Sequence, residues 1–205
     1  MRIRNLVLGS SLALFSWTSP ATAKKAKPDS FAIEKIDYSG EGCPPGSVSA
    51  STTSDAGAFI VLFSQMYAQA APNVGSAAAK QKCQLHLQLA VPKGWSYALT
   101  AVDFRGFAAL DESIDASEES TYHMSGESPE TTAAFRWHGA FEDEFAVEDI
   151  GAHAPPYWSR CGGGKNLMIT TTIAVDASAN RAGSGLLELD DVDGQLFHVA
   201  WQACH

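Results

Sequence analysis

Apolar and polar residues alternate along most of this chain in short runs, each closed by Gly, Pro, Asn, Asp or Ser. Leu85, Leu87, Leu89 and Val91 alternate with His86, Gln88 and Ala90, which puts four aliphatic side chains on one face of a strand. Pro92 and Gly94 close that run, and Tyr97, Leu99 and Ala101 resume the period of two, so residues 83–103 are expected to form a hairpin. The same pattern predicts strands near 31–38, 48–52, 58–63, 106–110, 120–125, 131–139, 145–149, 167–175, 185–189 and 196–203. The one helical candidate is Ser76–Lys82, where Ala77, Ala78 and Ala79 favour a turn or two of helix. So many short strands with no longer helical period predict an all-β fold, an antiparallel β-sandwich or jelly-roll-like domain. The acidic stretch Asp111–Glu119 and the segment Gly151–Lys165, with its prolines and three consecutive glycines, are expected as long surface loops.

The amino terminus departs from this pattern. Arg2 and Arg4 precede an apolar run from Leu6 to Trp17, then Pro20 and the small residues Ala21, Thr22 and Ala23. A basic end, a short apolar core and small residues before a cleavage point are the parts of a secretory signal peptide, expected over residues 1–23 with cleavage after Ala23. The apolar run is shorter than the roughly twenty residues a membrane-spanning helix needs, and no later segment is longer, so no membrane insertion is expected after cleavage. Residues 24–30 then form a flexible mature start and residues 31–205 a single β-sandwich domain, a length that supports one core.

Export changes how the cysteines read. All four, Cys43, Cys83, Cys161 and Cys204, follow the signal, and an even number in an exported chain predicts disulfides. Three pairings are open; the lower entropy of closing shorter loops favours Cys43 with Cys83 and Cys161 with Cys204. None lies in the closely spaced pairs that structural zinc sites use. Loss of Arg2 and Arg4 makes the formal charge of −9 two units more negative, and a strongly acidic surface without a basic cluster excludes nucleic acid as a partner. The expected location is outside the cell, secreted or at its surface.

Several short stretches taken together carry a resemblance: Gly42-Cys43-Pro44-Pro45-Gly46-Ser47, Cys83-Gln84-Leu85 running to Pro92-Lys93-Gly94-Trp95, Asp103-Phe104-Arg105-Gly106, Trp158-Ser159-Arg160-Cys161-Gly162, and His198-Val199-Ala200-Trp201-Gln202-Ala203-Cys204. In these the chain resembles the secreted fungal and bacterial proteins of domain of unknown function family 4360, over nearly all of Phe31 to Cys204. The resemblance implies export and disulfides; it brings no activity, cofactor or catalytic residue with it.

No catalytic constellation stands out: there is no nucleophile elbow, paired-histidine metalloprotease motif or phosphate-binding loop. His86, His123, His138 and His198 fall singly on predicted strands, where an outward or hydrogen-bonded histidine is the ordinary outcome. Asp190, Asp191 and Asp193 are the candidate metal ligands, since calcium takes hard oxygen donors, yet the third acid and distal Glu of an EF-hand are missing and Asp193-Gly194 reads as a tight hairpin turn between Leu189 and Leu196. Tyr157 and Trp158, in a Pro/Gly-rich segment, and Arg105 are the candidate ligand contacts, the aromatics as platforms for sugar rings. Against this, Trp158 and Trp201 each lie three residues before a cysteine, where an indole commonly packs over a disulfide. The reading that follows is a secreted non-catalytic domain binding a glycan or another envelope component. A secreted hydrolase or lyase acting on polysaccharide, and a structural or protein-interaction factor, are its rivals.

Overall fold

The computed structural model describes residues 27–126, 130–149, 158–164, 166–189 and 194–204; the expected signal peptide lies outside them. Among these residues are twelve strands: β1 (Ala32–Ser39), β2 (Val48–Thr52), β3 (Ala58–Phe63), β4 (Tyr67–Ala70), β5 (Ala78–Ala90), β6 (Trp95–Leu110), β7 (Asp115–Met124), β8 (Thr131–His138), β9 (Phe141–Asp149), β10 (Leu167–Asp176), β11 (Gly185–Leu189) and β12 (Gln195–Ala203). A single 3-10 turn at Pro72–Val74 is the helical content of the described residues. The strands form two sheets of antiparallel pairs, the first in the order β1-β5-β10-β7-β8. In the second, β6 is the long central strand. β9 pairs with its residues 102–110 along one edge, while β12 and then β11 pair with residues 95–104 and 106–110 along the other. β3 and β4 lie beyond β12 and β11 in the same broken manner, and β2 closes the edge beside β3. The protein is therefore an all-β antiparallel sandwich of two layers with five rows of strands in each.

Alternation makes the core. Leu85, Leu87, Ile169 and Ile173 point inward from the first sheet and Phe59, Val61, Phe63, Phe104 and Phe197 from the second, all essentially without solvent exposure. Phe59 and Phe197 stack with ring centroids 4.7 Å apart, and Tyr122 from the first sheet meets Phe197 edge-on at 6.0 Å, so aromatic rings bridge the layers. Cys43 bonds to Cys83, tying the turn after β1 to the middle of β5, and Cys161 bonds to Cys204, tying the segment before β10 to the end of the chain. No free cysteine remains.

Four local expectations are overturned. The stretch 83–103 is no hairpin: β5 belongs to the first sheet and β6 to the second, so the chain crosses between layers at Pro92–Gly94. Both strands need an apolar partner face, and facing each other across the core satisfies the same alternation as lying side by side. Ser76–Lys82 is not helical, because residues from Ala78 onward pair with β10 over ten successive positions, and ladder hydrogen bonds override the weak propensity of three alanines. Asp111–Glu119 is a loop only as far as Ile114; Asp115 begins β7, which pairs on both edges. The hairpin expected between Leu189 and Leu196 does not form, since β11 and β12 follow one another in the same direction along β6. Gly194, with φ +43°, presses so close to the neighbouring row that a Cβ there would come within 2.2 Å of the Val61 carbonyl oxygen.

Candidate functional site

The breaks in the second sheet shape its outer surface. Between β3 and β4 the chain steps away at Ser64, Gln65 and Met66, and Met66 turns inward while its carbonyl accepts the Leu189 amide at 3.0 Å. An open groove of about 510 Å³ results, lined by Gln65, Tyr67, Phe107, Glu144 and Glu188 among others. Pairing fixes how four of these line up. Tyr67 lies opposite Glu188, Glu188 opposite Phe107, and Phe107 opposite Glu144, so one residue from each of β4, β11, β6 and β9 falls in a single row across the strands.

Their direction follows from what their neighbours do. Ala68 and Ala70, Leu187 and Leu189, Ala108 and Phe104, and Phe145 are all buried, which leaves Tyr67, Glu188, Phe107 and Glu144 on the outer face. Tyr67 is 52% exposed, the most exposed large apolar side chain among the described residues. With neighbouring strands about 4.8 Å apart, the row alternates ring, carboxylate, ring, carboxylate over roughly 14 Å. Gly106 is required beside it, because a Cβ there would come within 2.1 Å of the Glu188 carbonyl oxygen. A second open groove of about 490 Å³ continues this face past the next row, where Gln69, Leu186, Ala109 and Glu142 are paired in the same way.

The residues singled out in the sequence fall unevenly around this face. Arg105 points outward on β6, two residues from Phe107, and its amide donates to the Gly194 carbonyl at 3.1 Å. Trp158 is 37% exposed but sits near the other end of β6, where the Ser159 amide donates to the Tyr97 carbonyl at 2.7 Å. Eight residues of strand separate Tyr97 from Arg105, about 26 Å, so Trp158 and Arg105 are not brought together. Trp201 packs inward, its indole Nε1 donating to the Ala56 carbonyl at 2.6 Å, with its ring 5.2 Å from Phe31. Tyr157, Asp190, Asp191 and Asp193 lie outside the described residues, and among the described residues no group of three or more His, Cys, Asp or Glu could hold a metal ion. The histidines are spread apart: His198 Nε2 is 3.1 Å from Asp103 Oδ2 and His138 Nδ1 is 2.7 Å from Asp115 Oδ1.

Two features were missed in the sequence. Tyr67 stands in Tyr-Ala-Gln-Ala, a four-residue strand without a branched residue to mark it, and only the small inward alanines hint at its alternation. The other is a polar cluster between the sheets. Glu118 is fully buried on β7; Ser120 donates to its Oε1 at 2.5 Å and lies 2.8 Å from the Thr171 hydroxyl, while Gln195 of the opposite sheet donates to Thr171 at 3.0 Å and Ser120 at 3.2 Å. Glu118 Oε2 has no hydrogen-bond partner. Burial, reinforced by the charges of Glu119 and Asp149 and opposed by the Ser120 hydrogen bond, pushes the Glu118 carboxyl up to about 8, so it is held protonated at neutral pH. Close by, the Tyr122 hydroxyl donates to Asp149 Oδ2 at 3.3 Å.

A further groove, of about 650 Å³, runs between Phe31, Val91 and Gly162 beside the second disulfide. Its Gln88 amide already donates to Glu34 at 2.8 Å, so two of its polar side chains serve each other. No helix among the described residues is long and apolar enough to cross a membrane.

Residues 29–204 match the family described as Domain of unknown function (DUF4360), and the chain belongs to that family. A relative from Arthroderma benhamiae, an "Uncharacterized secreted protein", is 31% identical over 180 residues, covering 86% of this chain and 73% of that protein. With two disulfides and no free thiol, the chain is likewise a secreted protein. Among solved structures, TmCBM61 in complex with beta-1,4-galactotriose is similar over 83% of this chain and 90% of that one, at 12% identity and a TM-score of 0.29. The enzymatically active domain of Bacteriophage CBA120 tailspike protein 4 is similar over 83% of this chain and 20% of that one, at 13% identity and a TM-score of 0.24. At those scores neither likeness bears on fold or ligand.

Proposed function

We propose that this secreted member of the DUF4360 family binds an extracellular glycan, without cleaving it, on the outer face of its second sheet. The observation that carries the reading is the row Tyr67, Glu188, Phe107, Glu144 in an open groove. Sugar rings offer apolar C–H faces ringed by hydroxyls, and the row offers aromatic faces flanked by carboxylate acceptors, with the Gln65 amide on the same groove. A rigid two-layer scaffold holds these groups on strands, so little order is lost on binding. The mature protein in this reading begins after Ala23 and folds as one domain over residues 31–205.

Glu144 and Glu188 flank Phe107 two strand spacings apart, which raises the rival reading of a hydrolase. Neither is enclosed, however: both are exposed in an open groove that does not exclude water from a bound sugar. The test is a screen of the oxidised protein, residues 24–205, against immobilised polysaccharides, with each ligand then assayed for new reducing ends. Binding that falls about ten-fold in Tyr67→Ala and is unchanged in Trp158→Ala supports the reading. New reducing ends that disappear in Glu144→Gln or Glu188→Gln would make it an enzyme, and binding that depends on Trp158 alone would move the site to the far end of β6.

A further inference from the structure

The charge pattern of the same face selects among glycans, and this inference rests on the reading above. Every carboxylate of the Tyr67 row is solvent-exposed, and the outward positions of β9 add Glu142 and Glu148 to Glu144. Against these stand Arg105, two residues along β6 from Phe107 with partners of its own, and His198, which already faces Asp103. The whole chain carries an excess of acids, with a formal charge of −9. An acidic polysaccharide would be repelled, and a neutral one would leave the carboxylates facing each other across Phe107 without a counter-charge.

We infer that the ligand is a polysaccharide bearing free amino groups. Protonated amines meet both halves of the row. Each ammonium can bridge to Glu188 or Glu144, and one seated over the Tyr67 or Phe107 face is held by the negative face of the ring. The ring faces themselves take the apolar side of each sugar. Strand spacing sets the order, so a ligand lying along the row meets a ring and then a carboxylate at each step. Charge supplies the choice between glycans and the aromatic contact supplies the docking.

Two oligosaccharides that share a backbone and differ only in charge separate these contributions: β-1,4-linked glucosamine oligomers and their fully N-acetylated counterparts. By calorimetry at pH 5.5 and low salt, the amine form should bind at least ten-fold more tightly, and 0.5 M NaCl should shrink that preference, because exposed ion pairs are screened. Glu144→Gln with Glu188→Gln should abolish the preference while leaving residual, Tyr67-dependent binding to the acetylated oligomer. Both changes are at exposed positions, and a circular dichroism spectrum identical to the parent's checks that the variant folds. Equal affinity for the two oligomers overturns the inference and leaves glycan binding standing. Failure of both to bind, in a protein whose screen finds no other glycan, removes the underlying reading as well. Poly-lysine bound as tightly as the amine oligomer, with no loss in Tyr67→Ala, would show charge attraction alone and overturn the inference by another route.

Discussion

Glu118 and Glu188 are the same side chain on neighbouring layers of one sandwich, and they meet opposite surroundings. Glu118 points from β7 into the space between the sheets, where it is fully buried and keeps its proton; Glu188 points from β11 into solvent beside Tyr67 and Phe107. Inside, the carboxyl acts as a polar filler tied to Ser120 and, through it, to Thr171 and Gln195 across the layers. Outside, it is a solvated acceptor on an open groove. Burial thus divides the labour: inward carboxyls bear on whether the molecule stays folded, and outward ones, in the proposed reading, on what it holds.

The largest way to break this comparison is pH. The Glu118 carboxyl ionises near 4.5, the ordinary value of a glutamate, in the unfolded chain and at about 8 in the fold, so between those values the folded state holds a proton that the unfolded state has released. Stability is therefore greatest below pH 4.5 as far as this group decides it, falls as pH rises towards 8, and levels off above, a swing on the order of 5 kcal/mol. Urea-unfolding midpoints measured from pH 4 to 9 should fall in the parent and lose that slope in Glu118→Gln. A variant with the parent's slope would return Glu118 to ordinary titration.

Next in size is the aromatic bridge. Phe197→Ala removes a ring stacked on Phe59 and touched by Tyr122, and the cavity should lower stability by about 4 kcal/mol in equilibrium denaturation. A loss under 1 kcal/mol would mean the layers close over the gap. Tyr67→Ala sharpens the contrast from outside: unfolding should stay within about 0.5 kcal/mol of the parent while glycan affinity drops about ten-fold. Smallest of all, Lys82→Ala should alter neither. Lys82 lies on the outer face of the first sheet in a row with Thr172 and Glu119, which has charges of both signs and no aromatic ring. Weakened binding in Lys82→Ala would place the ligand on the wrong sheet for the present reading.

Much of the strand pattern was legible because its cause is local. β2, β3 and β11 occupy the residues expected of them, since alternation of small groups of aliphatic and polar residues is a property of consecutive positions. β7 was partly lost because Glu118 and Ser120 occupy inward positions, and a carboxyl and a hydroxyl there read as surface until their partners on β10 and β12 are known. None of the row's members was singled out in the sequence, and Arg105 only lies beside the row; the members come from residues 67, 107, 144 and 188, and their alignment is a matter of register between strands.

By itself the sequence determined the all-β class, the approximate place of most strands, the disulfide-bearing secreted character and the family, because alternation, loop length and cysteine count act through near neighbours or simple chain entropy. Only the tertiary structure decided which sheet each strand joined, that β11 and β12 run on along one edge of β6, that Glu118 is buried, and that Tyr67 stands in line with Glu188, Phe107 and Glu144. Those outcomes depend on hydrogen-bond ladders between residues far apart in the chain, and a pattern with a period of two is satisfied equally by a neighbour beside it or across the core.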